Sequence, residues 1–97
     1  MDPDLQDFTI ADVVISTAGR DAGGLFYVLE TDGVWLTLVN GRDRRIEKPK
    51  RKKCKHAKKV LRSETRVAEK LRSGAKVLNS ELRRDLAYLS RDNSLGG

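Results

Sequence analysis

ADVVISTAGRDAGGLFYVLETDGVWLTLVNG, residues 11–41, is the stretch that decides the fold, and it divides at its glycines. ADVVISTAG (11–19) reads as a strand: Val13, Val14 and Ile15 are β-branched, and Gly19 ends the run. RDAGG turns the chain, with Gly23 and Gly24 free to take positive φ. LFYVLET (25–31) is a second strand, dense in aromatic and branched side chains. Asp32-Gly33 is a hairpin signal, VWLTLV (34–39) a third strand, and Asn40-Gly41 a second hairpin signal of the same kind. Arg42 to Glu47 carries a fourth strand anchored by Ile46, which Lys48-Pro49 interrupts. KCKHAK (53–58) supplies the fifth. A lone hairpin is marginal in water, and closing five short strands removes the exposed edges. The expected fold is therefore mainly β, a small barrel over residues 11–60. Period-two alternation puts Val13, Ile15, Phe26, Val28, Val34, Leu36, Leu38 and Ile46 in its core, with Val14 and Val39 at strand ends.

Beyond residue 60 the period changes. Val67 and Leu71 are four apart, with Ser63 or Ser73 as a local cap. Leu82, Leu86 and Leu89 make an i, i+4, i+7 stripe on a helix that starts near Glu81, capped by Asn79 or Ser80. Arg83, Arg84 and Asp85 fall off that stripe. About eleven residues are too few for a stable isolated helix, so it must dock. The division expected is an acidic segment (1–10), the barrel (11–60), a helical appendage (61–92) and a flexible tail (93–97).

The charge is segregated. The net +6 of the 97 residues is made of seven acids and one base in 1–41, twelve bases and two acids in 42–62, and seven bases and five acids in 63–97. Between Arg44 and Val60 ten bases face the single acid Glu47. Such a run repels itself unless a polyanion screens it, and neutralised phosphates release counterions. The expected contacts are Arg20, Arg42, Arg44, Arg45, Lys48, Lys50, Arg51, Lys52, Lys53, Lys55, His56, Lys58 and Lys59. Arg42, Arg44 and Arg45 suit a rigid platform, because guanidinium forks bind phosphate bidentately, and the lysines a looser clamp. Acidic Asp2 to Asp7 could fold back over this edge as an internal competitor.

The aromatic residues read two ways. Phe26 is expected in the core. Tyr27 and Trp35 lie in the opposite phase and serve either as stacking or interface surfaces or as barrel core, and Trp35 has the further option of packing beneath the C-terminal helix. The catalytic options are thin. One Cys and one His, Cys54 and His56, are too few for a zinc site, and no triad or phosphate-binding glycine loop is present. Neither an enzyme, a metal nor a cofactor is expected. Cys54 is either a small packed hydrophobe or a thiol activated by its lysines. MDPDLQDF lacks the apolar run of a signal peptide, and no window is apolar enough for a membrane span, so a cytoplasmic protein with no membrane partner is expected.

DVVISTAGRDAGG followed by LFYVLE resembles the KOW motif of ribosomal and transcription-associated RNA-binding proteins. Gly23 matches its central glycine and Gly19 the first, whereas Ala22 and Gly24 stand where lysines are usual. NGRDRRIEKPKRKKCKH (40–56) resembles the signature of small bacterial KOW-domain proteins grouped with large-subunit ribosomal proteins. Asn40, Gly41, Arg42, Arg44, Arg45, Glu47, Lys48, Pro49, Lys50 to Lys53, Lys55 and His56 all match, and Ala57 replaces a leucine. SGAKVLNSELRRDLAYL resembles the tail helix of that group. The resemblance implies an SH3-like barrel that binds structured RNA, with ribosomal RNA or the large ribosomal subunit as partner, contacts to ribosomal proteins, and a role in translation without catalysis. Two alternatives remain open on the residues alone: an SH3-like protein-interaction module of the translation or transcription machinery, and a DNA-binding protein.

Overall fold

The computed structural model describes residues 7–92. The expected tail at 93–97 and residues 1–6 of the acidic segment lie outside them. The chain forms one five-stranded antiparallel sheet and two helices: β1 (Asp12–Ser16), β2 (Leu25–Thr31), β3 (Trp35–Val39), β4 (Lys50–Lys53), β5 (Ala57–Arg62), α1 (Arg66–Ser73) and α2 (Asn79–Asp92). The strand order is β4-β3-β2-β1-β5. A single 3-10 turn, Cys54–His56, carries the chain from one edge strand to the other. The register shifts between Val13 and Val14 on β1 and between Val28 and Glu30 on β2. Irregularities of this kind sharpen the local twist and bend a strand.

The first three strands form where the alternation puts them; the fourth does not. Residues 42–44 are bends held by Asn40, whose Oδ1 accepts from the amides of Arg42 and Arg44 at 2.9 Å each, and 46–47 are a turn closed by an isolated bridge between Arg45 and Lys48. Asparagine closing a turn on its own following amides competes with strand pairing. Ladder pairing resumes only after Pro49, with Leu36 opposite Lys52 and Leu38 opposite Lys50. KCKHAK is likewise not one strand: it holds the end of β4, the 3-10 turn and the start of β5.

Both faces of the sheet bury side chains, the outer one only in part. The inner face packs Phe8, Val14, Phe26, Val28, Leu36, Leu38, Cys54 and Ala57. The outer face packs Ala11, Val13, Tyr27 and Val39 beneath Val67, Ala68 and Leu71 of α1 and Leu82, Leu86 and Leu89 of α2. Val13 therefore belongs to the outer core, opposite Phe26. Val14 and Val39 are both fully buried; Val39 does end β3, whereas Val14 is the middle residue of β1. Ile15 is only half-buried, and Val34 is 60% exposed at the turn before β3. Ile46 packs against the outer cluster from the side.

The helices are a second layer, and the stripe Leu82, Leu86, Leu89 is the face that docks. α1 is capped by Thr65, which accepts from Ala68 N at 3.2 Å, and ends on left-handed Gly74. Ser63 is no cap but a buried link. The Tyr27 hydroxyl lies 2.8 Å from Ser63 Oγ and donates to the Asp85 carboxylate, to which Thr65 Oγ1 also donates at 2.8 Å. One buried polar knot thus joins β2, the β5–α1 connection and α2.

Candidate nucleic-acid interface

Three segments distant in sequence meet at one end of the sheet. The 17–24 loop leaves β1, the 40–49 loop leaves β3, and the 54–56 turn precedes β5. Each junction is pinned. Arg44 Nε and Nη2 donate to Asp21 Oδ1 and Oδ2 at 3.3 and 3.2 Å. Lys52 Nζ donates to Ala18 O at 2.8 Å. Thr17 N donates to His56 O at 2.9 Å.

These pins sort the expected contact residues. Arg20, Arg42, Arg45, Lys48, Lys55 and Lys58 are exposed, and Lys50 and His56 are half-buried. They form the part of the basic run free to meet a ligand at this end. Arg44 is spent on Asp21, so it positions the two loops and removes the one acid of the 17–24 loop from the surface charge. Lys52 is 8% exposed, with its stem beside Leu36 and its ammonium on a backbone carbonyl. It is a structural lysine, and its assignment as a contact residue is corrected accordingly. Lys59 pairs with the fully buried Asp12 at 3.0 Å and sits 6.0 Å from the Phe8 ring centroid. It holds the entry of the chain against β5.

Three glycines make the loops possible. Gly19 and Gly23 adopt φ of +76° and +87°. Gly41 (φ +77°) has a further reason: a Cβ there would lie 2.2 Å from Asn79 O. The 40–47 loop therefore lies directly on the start of α2. Asn79 was expected to cap this helix, and instead its side chain grips the loop. Its Oδ1 accepts from Ile46 N at 2.9 Å and its Nδ2 donates to Glu47 at 2.7 Å. That hydrogen bond, first among the causes, draws the Glu47 pKa below the usual carboxylate range. The capping is done by Glu81, whose Oε1 accepts from Leu78 N at 3.0 Å. Arg83 completes the junction by donating to Gly41 O at 2.6 Å.

Arg51 and Lys53 point away from the inner core, toward the uncovered part of the outer sheet face. Their cationic groups lie 4.9 and 5.4 Å from the Trp35 ring centroid. This half-buried Trp lines an open cleft of about 450 Å³ with Ile10, Glu30, Asp32 and Thr37. Asp32 accepts from the amides of Trp35 and Val34 at 2.8 and 3.0 Å, which lowers its pKa and fixes the turn. Trp35 thus lies clear of the helices, and Tyr27 takes the place beneath them. Tyr27 is fully buried, which excludes it as a stacking or interface surface in the folded chain. Burial and then the hydrogen bond to Asp85 push its phenol well above the ordinary range.

Cys54 is a buried hydrophobe with its sulfur 3.6 Å from Gly33 O, and burial raises its thiol pKa. The lysines that flank it in sequence do not activate it: Lys53 turns its ammonium to the Trp35 ring and Lys55 is exposed, while burial dominates at the thiol. No helix among the described residues is long and apolar enough to cross a membrane.

Sequence reasoning missed a second set of cations. Arg66 on α1 and Arg84 and Arg91 on α2 are exposed beside Tyr88. The i, i+4, i+7 spacing of Arg84, Tyr88 and Arg91 was a readable signal, masked by the leucine stripe on the same helix. Comparison with protein-family models gives no match, and neither does comparison with curated proteins.

Proposed function

We propose that this protein is a non-catalytic RNA-binding protein of the KOW type, acting on ribosomal RNA or the large ribosomal subunit in the cytoplasm. The observation that carries the reading is the convergence of the three loops. Arg20, Arg42, Arg45, Lys48, Lys50, Lys55 and Lys58 come from segments more than thirty residues apart at their extremes and reach one end of the sheet. Asp21, the acid of that end's glycine loop, is neutralised by Arg44. The strand order β4-β3-β2-β1-β5, with a 3-10 turn joining the edge strands, supports an SH3-like barrel. Recognition would be electrostatic and shape-driven, with Arg42 and Arg45 as forks on phosphate and no base code from the lysines.

The test is a salt titration of binding to structured RNA. Engagement of about six phosphates lowers affinity about a thousandfold from about 50 to about 200 mM salt. Arg42→Glu with Arg45→Glu should weaken binding at every salt concentration and flatten the slope. Unchanged affinity would refute the loop-end interface. Equal competition by duplex DNA would instead favour a DNA-binding protein. Sedimentation of lysate then asks whether the chain travels with large subunits until a high-salt wash.

A second reading, an SH3-like protein-interaction module, draws on the Trp35 cleft and on Ile10, which is 36% exposed at its rim. Binding there would be insensitive to salt and lost in Trp35→Ala.

A further inference from the structure

The basic surface does not stop at the loops. Arg42 and Arg83 line one open cleft, and Arg84, the next residue along α2, lines another of about 390 Å³ between α1 and α2. This second cleft gathers Arg66, Arg84 and Arg91 around Tyr88, which is 50% exposed. Its two acids are engaged mainly elsewhere, although the charge of Arg66 also acts on Glu81. Glu81 is held by Lys70 at 2.8 Å and by Leu78 N, and Asp85 takes hydrogen bonds from Tyr27 and Thr65. The three guanidiniums have no hydrogen bond or ion pair among the described residues. Unpaired arginines that flank an exposed ring offer phosphate contacts next to a stacking face. The cleft falls in the size range of small-ligand sites.

We infer that the α1–α2 cleft takes an unpaired nucleotide of the bound RNA, with its base stacked on Tyr88 and the flanking phosphates held by Arg66, Arg84 and Arg91. The inference rests on the RNA-binding reading and deepens it: the loop end holds structured backbone, and α2 leads the adjoining single strand along its exposed face. Stacking on Tyr88 tolerates any base, because every base has a π face.

The experiment compares the full-length chain and its variants on two labelled RNAs of equal length, a uridine-rich single strand and a blunt duplex. Tyr88→Ala should weaken the single strand about tenfold and leave the duplex nearly unchanged. Tyr88→Phe, which keeps the stacking face, should restore single-strand binding. Arg84→Gln with Arg91→Gln should reduce the log–log salt slope for the single strand by roughly 1.4, two contacts at about 0.7 each. All three substituted side chains are exposed, and a thermal melt confirms that each variant folds. Duplex binding at wild-type strength with no effect of these changes on the single strand overturns the cleft assignment alone. Equal losses on both RNAs overturn it too. Failure of the wild-type chain to bind either RNA overturns the RNA-binding reading together with the cleft. An acidic phosphopeptide that binds more tightly than the single strand, with the same dependence on Tyr88, replaces the nucleotide as occupant.

Discussion

At the scale of single residues, backbone conformation and buried polarity decide what can change. Gly41 combines a left-handed φ with a contact that leaves no room for a methyl group, whereas Gly33 (φ +94°) faces open space. Gly33→Ala should cost about 1 kcal/mol, the left-handed penalty alone. Gly41→Ala should cost about 3 kcal/mol or more, since the start of α2 must move as well. Paired thermal melts check the contrast. Tyr27 makes a sharper prediction, in pH. Its folded pKa is raised by burial and by Asp85, so above the ordinary phenol range the unfolded chain loses this proton while the folded chain keeps it. The unfolded state then binds fewer protons, and stability falls as pH rises beyond about 10. The slope from this group approaches about 1.4 kcal/mol per pH unit. Urea unfolding of wild type and Tyr27→Phe at neutral and alkaline pH should show it only in the wild type. A parallel decline in both would refute it.

Elements are joined here by a few side chains that cross between them. Asn79 ties the start of α2 to the 40–47 loop, and Thr65 caps α1 while serving the knot around Asp85. Asn79→Ala leaves Ile46 N without its acceptor and should destabilise the chain by about 1–2 kcal/mol. Hydrogen exchange at the Ile46 amide should speed up more than at Val28, a buried residue of β2. Uniform acceleration would mean that Asn79 acts on global stability alone. The same link has a functional side, because this loop carries Arg42 and Arg45. On the RNA-binding reading proposed above, loosening it should reduce RNA affinity without removing a charge.

On the scale of the whole molecule, the helices are what the outer sheet face folds against. Val13, Tyr27 and Val39 would face water without α1 and α2. A chain ending at Arg62 keeps every strand and every basic residue of 42–62, yet it should fail to fold cooperatively. Circular dichroism and urea unfolding of the truncated chain check this, and a sharp transition near that of the full chain would contradict it. A barrel with a dispensable appendage predicts that contradictory result; a two-sided core does not.

The first three strands were legible in residues 11–41 because local signals coincide there: branched and aromatic runs lie between glycine turns, and period-two alternation separates Phe26 and Val28 from Tyr27. The leucine stripe of α2 was legible for the same reason. The fourth strand was not, because 42–47 offers the apolar Ile46 whereas 50–53 is entirely basic, and only pairing with β3 selects the second. Nor could alternation say that both phases are buried. Alternation puts Val13 on the same face as Phe26 and leaves Tyr27 in the other phase, until the leucines of α2 arrive from more than fifty residues away and bury Val13 and Tyr27 together. The charge run was plain in the sequence, but its division was not. Lys52 and Arg44 differ from Lys50 and Arg42 only by what lies opposite them, a carbonyl of the 17–24 loop and the Asp21 carboxylate. Composition and spacing determined that the chain is mainly β, with two short amphipathic helices and a concentrated positive charge. Long-range packing decided which cations are structural and which are free, because that depends on partners that chain order does not place together.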